Sequence, residues 1–221
     1  MMKILSLELS STRRSVAVWD PMAMTHPIEA MGDPRPDRSG MGALGLVDGI
    51  LGKAGWDRRD VTLIAIGVGP GSLTGVRAAI SLAQGWQFAT GVRLRKENSV
   101  SLIAAELFEA GVRGAGMICF DGQRGEVYGA SLEIQNAGPS VPTALGLVSA
   151  SDLHAATASG VFVCGPDLDR VFAEAKPAFP SASSLARLCA REGCVDQFAY
   201  DLAPVYLRDT QFVKIPGRAS V

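Results

Sequence analysis

An α/β fold of two similar lobes, each built on a βββαβα unit, is what this sequence predicts. Three observations lead there. A β-hairpin pattern opens each half of the 221-residue chain. The order hairpin, helix, strand, helix then occurs in both halves, as a duplication would leave it. A glycine-rich turn joins a short apolar strand to a long apolar helix. With 48% hydrophobic residues and a mean hydropathy of +0.21, the chain has enough apolar side chains to bury a sizeable core.

Residues 4–9 read as the first strand. The polar turn Ser10-Ser11-Thr12-Arg13-Arg14 and the alternating run over 15–20 complete a hairpin, and a third strand is expected over 24–30. The prolines of Asp33-Pro34-Arg35-Pro36 exclude a helix there, and Ser39 is a suitable N-cap for a helix over 40–54. A strand over 63–68, the glycine-rich turn and a helix over 74–90 close the first unit. One further helix is expected over 99–110. The second half then gives strands over 117–120 and 126–134, a helix over 151–158, a strand over 161–164 and a helix over 183–191. The division is placed at residue 97, with one lobe over 1–97 carrying the glycine-rich turn and a second over 98–221. Such an order is that of the actin and sugar-kinase class of folds. The halves share no detectable residue identity, so one sheet with a coincidental order is the alternative.

Charge and cysteine usage narrow the function. Lys plus Arg (21) nearly balance Asp plus Glu (22), and a net charge of −1 argues against a broad grip on a phosphate backbone. A partner is expected to supply the basic surface if RNA is involved. Cys119, Cys164, Cys189 and Cys194 form no CxxC pair, and with only His26 and His154 the usual zinc patterns cannot be written. No metal site is expected, and the thiols read as reduced and structural. Without a long apolar run or a signal-peptide pattern at Met1-Met2-Lys3-Ile4, the expected location is the cytoplasm, with no membrane partner.

The segment Gly67-Val68-Gly69-Pro70-Gly71-Ser72-Leu73-Thr74-Gly75-Val76-Arg77 is the strongest local signal. At a strand-to-helix junction, free N–H groups and the positive helix end can receive an anion, and glycines admit a close approach. No Lys follows at the Walker A offset, and the Gly69, Gly71, Gly75 spacing is not GxGxxG. Two readings stay open: an anion cradle, or a tight turn that needs φ > 0. Ser72 lacks the GxSxG context of a nucleophile, and neither histidine completes a recognisable triad.

Four motifs, Ile4 to Ser11, Gly67 to Arg77, Asp121-Gly122-Gln123-Arg124-Gly125-Glu126-Val127-Tyr128 and Pro204-Val205-Tyr206-Leu207-Arg208, together resemble the TsaB (YeaZ) family. That family belongs to bacterial tRNA threonylcarbamoyladenosine biosynthesis. The resemblance implies an actin-like fold and a non-catalytic place in the complex that attaches threonylcarbamoyl to N6 of the adenosine beside the anticodon. The catalytic subunit there is the homologous TsaD, with a TsaE ATPase in the same pathway, and ATP or ADP and metal are expected on those partners. The metal-binding HxxxH pair of TsaD has no counterpart here, where the equivalent stretch reads Asn98-Ser99-Val100-Ser101-Leu102. A remnant phosphate site is implied at Ser10, Ser11, Gly69, Gly71 and Ser72. One departure stands out: the family's first strand usually ends Asp-Thr-Ser, whereas this chain has Glu8-Leu9-Ser10. A carboxylate at a strand end is expected to be solvated or capped.

The helix over 40–54 carries Gly42, Gly45, Gly49 and Gly52 on one face. Each costs about 0.5–1 kcal/mol relative to Ala, which close approach by another helix could offset. The next helix is apolar nearly all round, so it is expected to be buried on more than one side. Gly42, Gly45, Gly49, Gly52, Val76, Ile80 and Ala83 are therefore the expected partner interface. In the resembled family the two helices bundle with TsaD or, for the isolated subunit, with a second copy. A stand-alone ATPase, kinase or peptidase is the alternative function.

Overall fold

The computed structural model describes residues 2–32, 42–191 and 194–207. The expected loop over 33–38, the N-cap Ser39, residues 40 and 41 of the expected first helix, and Arg208 lie outside them.

In chain order the first lobe runs β1 (Ile4–Glu8), β2 (Ser15–Trp19), β3 (Ile28–Met31), α1 (Gly42–Ala54), β4 (Leu63–Gly67), α2 (Leu73–Thr90) and β5 (Arg93–Glu97). Its strands form one sheet in the order β3-β2-β1-β4-β5. β1 lies antiparallel to β2, with Leu7 opposite Val16, and parallel to β4, with Leu5 beside Ile64. Strands β1 and β4 are buried at every position, so β4 reads as a continuous apolar run and β1 buries even its polar Ser6 and Glu8.

After α3 (Ser99–Glu109) come β6 (Gly114–Asp121), β7 (Val127–Gln135), β8 (Gly138–Pro139), β9 (Gly146–Val148), α4 (Ala150–Ala158), β10 (Phe162–Gly165), β11 (Lys176–Pro177) and α5 (Ala182–Ala190). The second sheet has the order β11-β10-β6-β7-β8, with β9 also pairing to β7. Strand for strand this repeats the first sheet: a central antiparallel hairpin, then two parallel neighbours. The two sheets thus have the repeated topology that the sequence order predicts, with one correction. Where α2 follows β4, the second lobe has only a 3-10 turn at Leu168–Arg170 after β10, and the expected helix over 183–191 comes one strand later, as α5.

Helices α1 and α2 cover one face of the first sheet with Val47, Ile50, Leu51, Val76, Ala79 and Ala83 against Leu5, Leu7, Ile64 and Ile66. The other face is covered from the far end of the chain. Leu185, Ala186 and Cys189 of α5 pack on Ile4, Leu63 and Ala65. α3 does the reverse, placing Val100, Ile103 and Ala104 on Ile118, Phe120 and Leu132 of the second sheet. Each fully buried aliphatic side chain of this kind contributes about 1.5–3 kcal/mol. The two sheets are thus tied together by an exchange of helices.

Two strand expectations need correction. The third strand occupies 28–31 rather than 24–30, because the N–H groups of Ala23 and Met24 both turn back to the carbonyl of Asp20. β5 was not expected at all: its sequence, Arg-Leu-Arg-Lys-Glu, is charged at four positions, and only Leu94 is fully buried. Among the described residues no helix is long and apolar enough to cross a membrane.

Candidate functional site

The glycine-rich turn sits where β1, β4 and α3 converge. The Gly69–Pro70 peptide is cis, and Gly69 and Gly71 have φ of 85° and 151°. The turn is pressed onto the backbone that leaves β1. A Cβ at Gly71 would collide with the carbonyl oxygen of Ser10, and one at Gly75 with that of Leu9. The Ser72 N–H donates to the Ser10 carbonyl at 2.6 Å, and the Ser72 hydroxyl accepts from the Gly75 N–H at 3.4 Å. Two N–H groups that an anion would need are thus engaged within the chain. The positive φ of Gly69 and Gly71 is what the tight-turn reading of the sequence requires.

The expected phosphate remnant is brought together but folded inward. Ser10 and Ser11 are buried, and Ser72 is half-buried beside the exposed Gly71. The Ser10 hydroxyl lies 3.0 Å from that of Ser99, at the start of α3, and donates to Glu8 Oε1. Ser99 in turn donates its N–H to the Gly69 carbonyl at 2.8 Å.

Of the two expectations for Glu8, solvated or capped, the solvated one does not hold: the side chain is wholly buried, and Ser10 caps it. Room for it comes from Gly67, whose Cβ would collide with Glu8 Oε2. Oε1 also accepts the Ser10 N–H at 2.8 Å, whereas Oε2 has no hydrogen-bond partner among the described residues. Burial raises the carboxyl pKa above 4.5, outweighing the two Ser10 hydrogen bonds that lower it. The acid form is the one this environment favours. A carboxyl so placed faces protein, not the space between the lobes.

Across that space the β1–β2 turn reaches the second lobe. Thr12 Oγ1 donates to Asp167 Oδ2 at 2.7 Å, and the Arg13 guanidinium lies 4.1 Å from the ring centre of Phe179. Asp167 holds a left-handed conformation with φ of 54°, at the turn where the second lobe lacks a helix. Sequence reasoning missed Thr12, Arg13, Asp167 and Phe179; only the Gly165-Pro166-Asp167 turn composition hinted at an unusual backbone there. The Gly125 to Tyr128 motif closes the β6–β7 hairpin. Gln123, Arg124 and Gly125 all have positive φ, and a Cβ on Gly122 would stand 2.7 Å from the Tyr128 ring.

The helix pair splits the expected partner interface in two. Gly42, Gly49 and Gly52 are exposed, with nothing within 4 Å of a Cβ placed on them, and Gly45 is half-buried. Val76, Ile80 and Ala83 are instead buried in the chain's own core against the first sheet, so these three do not face outward. The outward face of α2 carries Leu73, Arg77, Ser81, Gly85 and Phe88, with Phe88 83% exposed, and α1 adds Leu44. The apolar all-round pattern of α2 could not tell these faces apart.

His26 and His154 are both exposed, and among the described residues no group of three or more His, Cys, Asp or Glu side chains is arranged to hold a metal ion.

Comparison with known proteins agrees with this architecture. The family model described as TsaD, tRNA N6-adenosine threonylcarbamoyltransferase, matches residues 42–182. The tRNA threonylcarbamoyladenosine biosynthesis protein TsaB of Escherichia coli K12 is 27% identical over 132 residues, covering 60% of this chain and 55% of that protein. Its Haemophilus influenzae namesake is 30% identical over 125 residues, covering 57% and 51%. The chain thus matches about half the length of these curated relatives. A Pseudomonas aeruginosa protein described as similar to peptidase YEAZ superposes with a TM-score of 0.73 at 25% identity, over 94% of this chain and all of the other. YeaZ from Pseudomonas aeruginosa, at 23% identity and a TM-score of 0.71, shares the fold over the same extent.

Proposed function

Since the chain belongs to the family described as TsaD, tRNA N6-adenosine threonylcarbamoyltransferase, and within it to the TsaB (YeaZ) group, we propose that it is a non-catalytic subunit of N6-threonylcarbamoyladenosine formation on tRNA. It works by binding a TsaD-like catalytic subunit in the cytoplasm, in a pathway that includes a TsaE-like ATPase. Alone, it pairs with a second copy. tRNA meets it through the complex.

The observation that carries this reading is the inward-turned glycine-rich junction. Gly71 and Gly75 lie against the carbonyls of Ser10 and Leu9, and Glu8 is buried behind Gly67. The backbone that would cradle a phosphate is spent on holding β1 to α2. The partner surface is the outward side of α1 and α2, where Gly49 and Gly52 leave the backbone bare beside the exposed Leu44, Leu73 and Phe88. Exposed apolar side chains beside bare helix backbone are suited to helix packing.

Reconstitution tests the reading. With tRNA, a TsaD-like subunit and a TsaE-like ATPase, modification should require this chain, and the chain should co-elute with the TsaD-like subunit. Modification that proceeds equally well without it, or turnover of ATP or peptides by the purified chain alone, would overturn the proposal.

A further inference from the structure

A cavity of about 310 Å³ opens between β3, α3 and the segment leading into α5. Its apolar wall includes Leu107, Ala178 and Pro180, and its polar wall carries Arg13, Glu29 and Glu106. The charges on it are held in place but not paired with one another. The Arg13 guanidinium carbon lies 4.1 Å from the centre of the Phe179 ring, and among the described residues no ion pair joins it to either glutamate. Glu106 takes the hydroxyls of Ser181 and Ser184 on Oε1, the latter at 2.6 Å. Glu29 is anchored by Ser183, through its N–H at 3.2 Å and its hydroxyl at 3.1 Å.

We propose that this cavity binds a small zwitterion, a free α-amino acid. A guanidinium held over a ring face uses none of its N–H groups on that contact, and a carboxylate can take two of them in a two-pronged fashion. The carboxylates of Glu106 and Glu29 receive the ammonium, and the amino-acid side chain lies along Leu107, Ala178 and Pro180. An anion alone would meet the two glutamates as like charges, and a cation alone would leave the guanidinium unmatched. Only a ligand bearing both charges matches the wall as built. This site lies apart from the outward face of α1 and α2 and does not rest on the tRNA-modification reading.

Calorimetric titration of the full chain with the common L-amino acids, one at a time, tests it. At least one should bind saturably, and its N-acetyl and carboxamide derivatives should each bind about tenfold more weakly or worse, as expected for loss of one charged hydrogen bond. Arg13→Gln, at an exposed position, should weaken the parent amino acid by a similar factor while leaving its carboxamide unaffected. Absence of saturable binding by every amino acid overturns the proposal. So does equal affinity for parent and derivatives, or acetate saturating the same site as tightly. The derivative comparison uses the unmodified chain and stands whatever the variant does to folding.

Discussion

The side chain of Glu8 fills the space that any side chain at position 67 would need, so the strand-end carboxyl and the missing Cβ of Gly67 define one another. Both residues are part of buried strands, β1 and β4, that run side by side. Gly67→Ala should therefore destabilise the fold by about 1–3 kcal/mol, the usual cost of overpacking a filled interior. Pairing it with Glu8→Ala should recover part of that loss. Chemical denaturation of both single variants and the double variant measures the coupling, and strictly additive losses would show that the two sites do not share space.

Glu8 also sets a pH dependence. In the unfolded chain its carboxyl titrates near 4.5, and in the native protein it titrates higher because it is buried. Between those two values the native state keeps a proton that the unfolded state has released. Stability from this residue is thus fully present below about pH 4.5 and falls as pH rises through the native value, with a slope of up to about 1.4 kcal/mol per pH unit. Glu8→Gln, which keeps an acceptor for Ser10, should remove that slope. Denaturation curves of the two proteins across a pH series should diverge as pH rises; parallel curves would dismiss the effect.

Gly49→Leu separates folding from partnership. No atom lies within 4 Å of a Cβ at Gly49, so the substitution should leave stability unchanged or raise it by up to about 1 kcal/mol through helix propensity. Association with the TsaD-like subunit, and tRNA modification with it, should be lost if this face is the interface. Normal melting with undiminished modification would remove α1 from the contact surface.

Thiol reactivity offers a check on the second sheet. Burial pushes Cys119 and Cys164 up to about 12, so almost no thiolate exists at neutral pH. Both should resist alkylation in the native protein and react fully once it is unfolded. Cys194, only partly buried, should react first. Peptide mass spectrometry after timed labelling reads the order directly.

Much of the fold was legible because its strongest elements are simple. β4 is an unbroken apolar run and β1 interrupts its apolar residues only with Ser6 and Glu8, and the glycine cluster after β4 marked a strand-to-helix junction. β5 was hidden because four charged residues surround the one side chain, Leu94, that the core receives. The site was less legible. A glycine pattern reports that backbone is approached closely, but not by what; here the approaching group is the chain itself, at Leu9 and Ser10. The contacts of Thr12 with Asp167 and of Arg13 with Phe179 join residues more than 150 positions apart, and no local periodicity encodes them.

The exchange of helices between the sheets carries a consequence for the order of assembly during synthesis. When the first five strands have emerged, Ile4, Leu63 and Ala65 present a bare apolar face, because the helix that covers it, Ala182–Ala190, is still to be translated. The nascent chain must carry that sticky surface through the making of the entire second sheet. A chain stopped after residue 97 would keep it permanently, and should aggregate rather than persist as a soluble half.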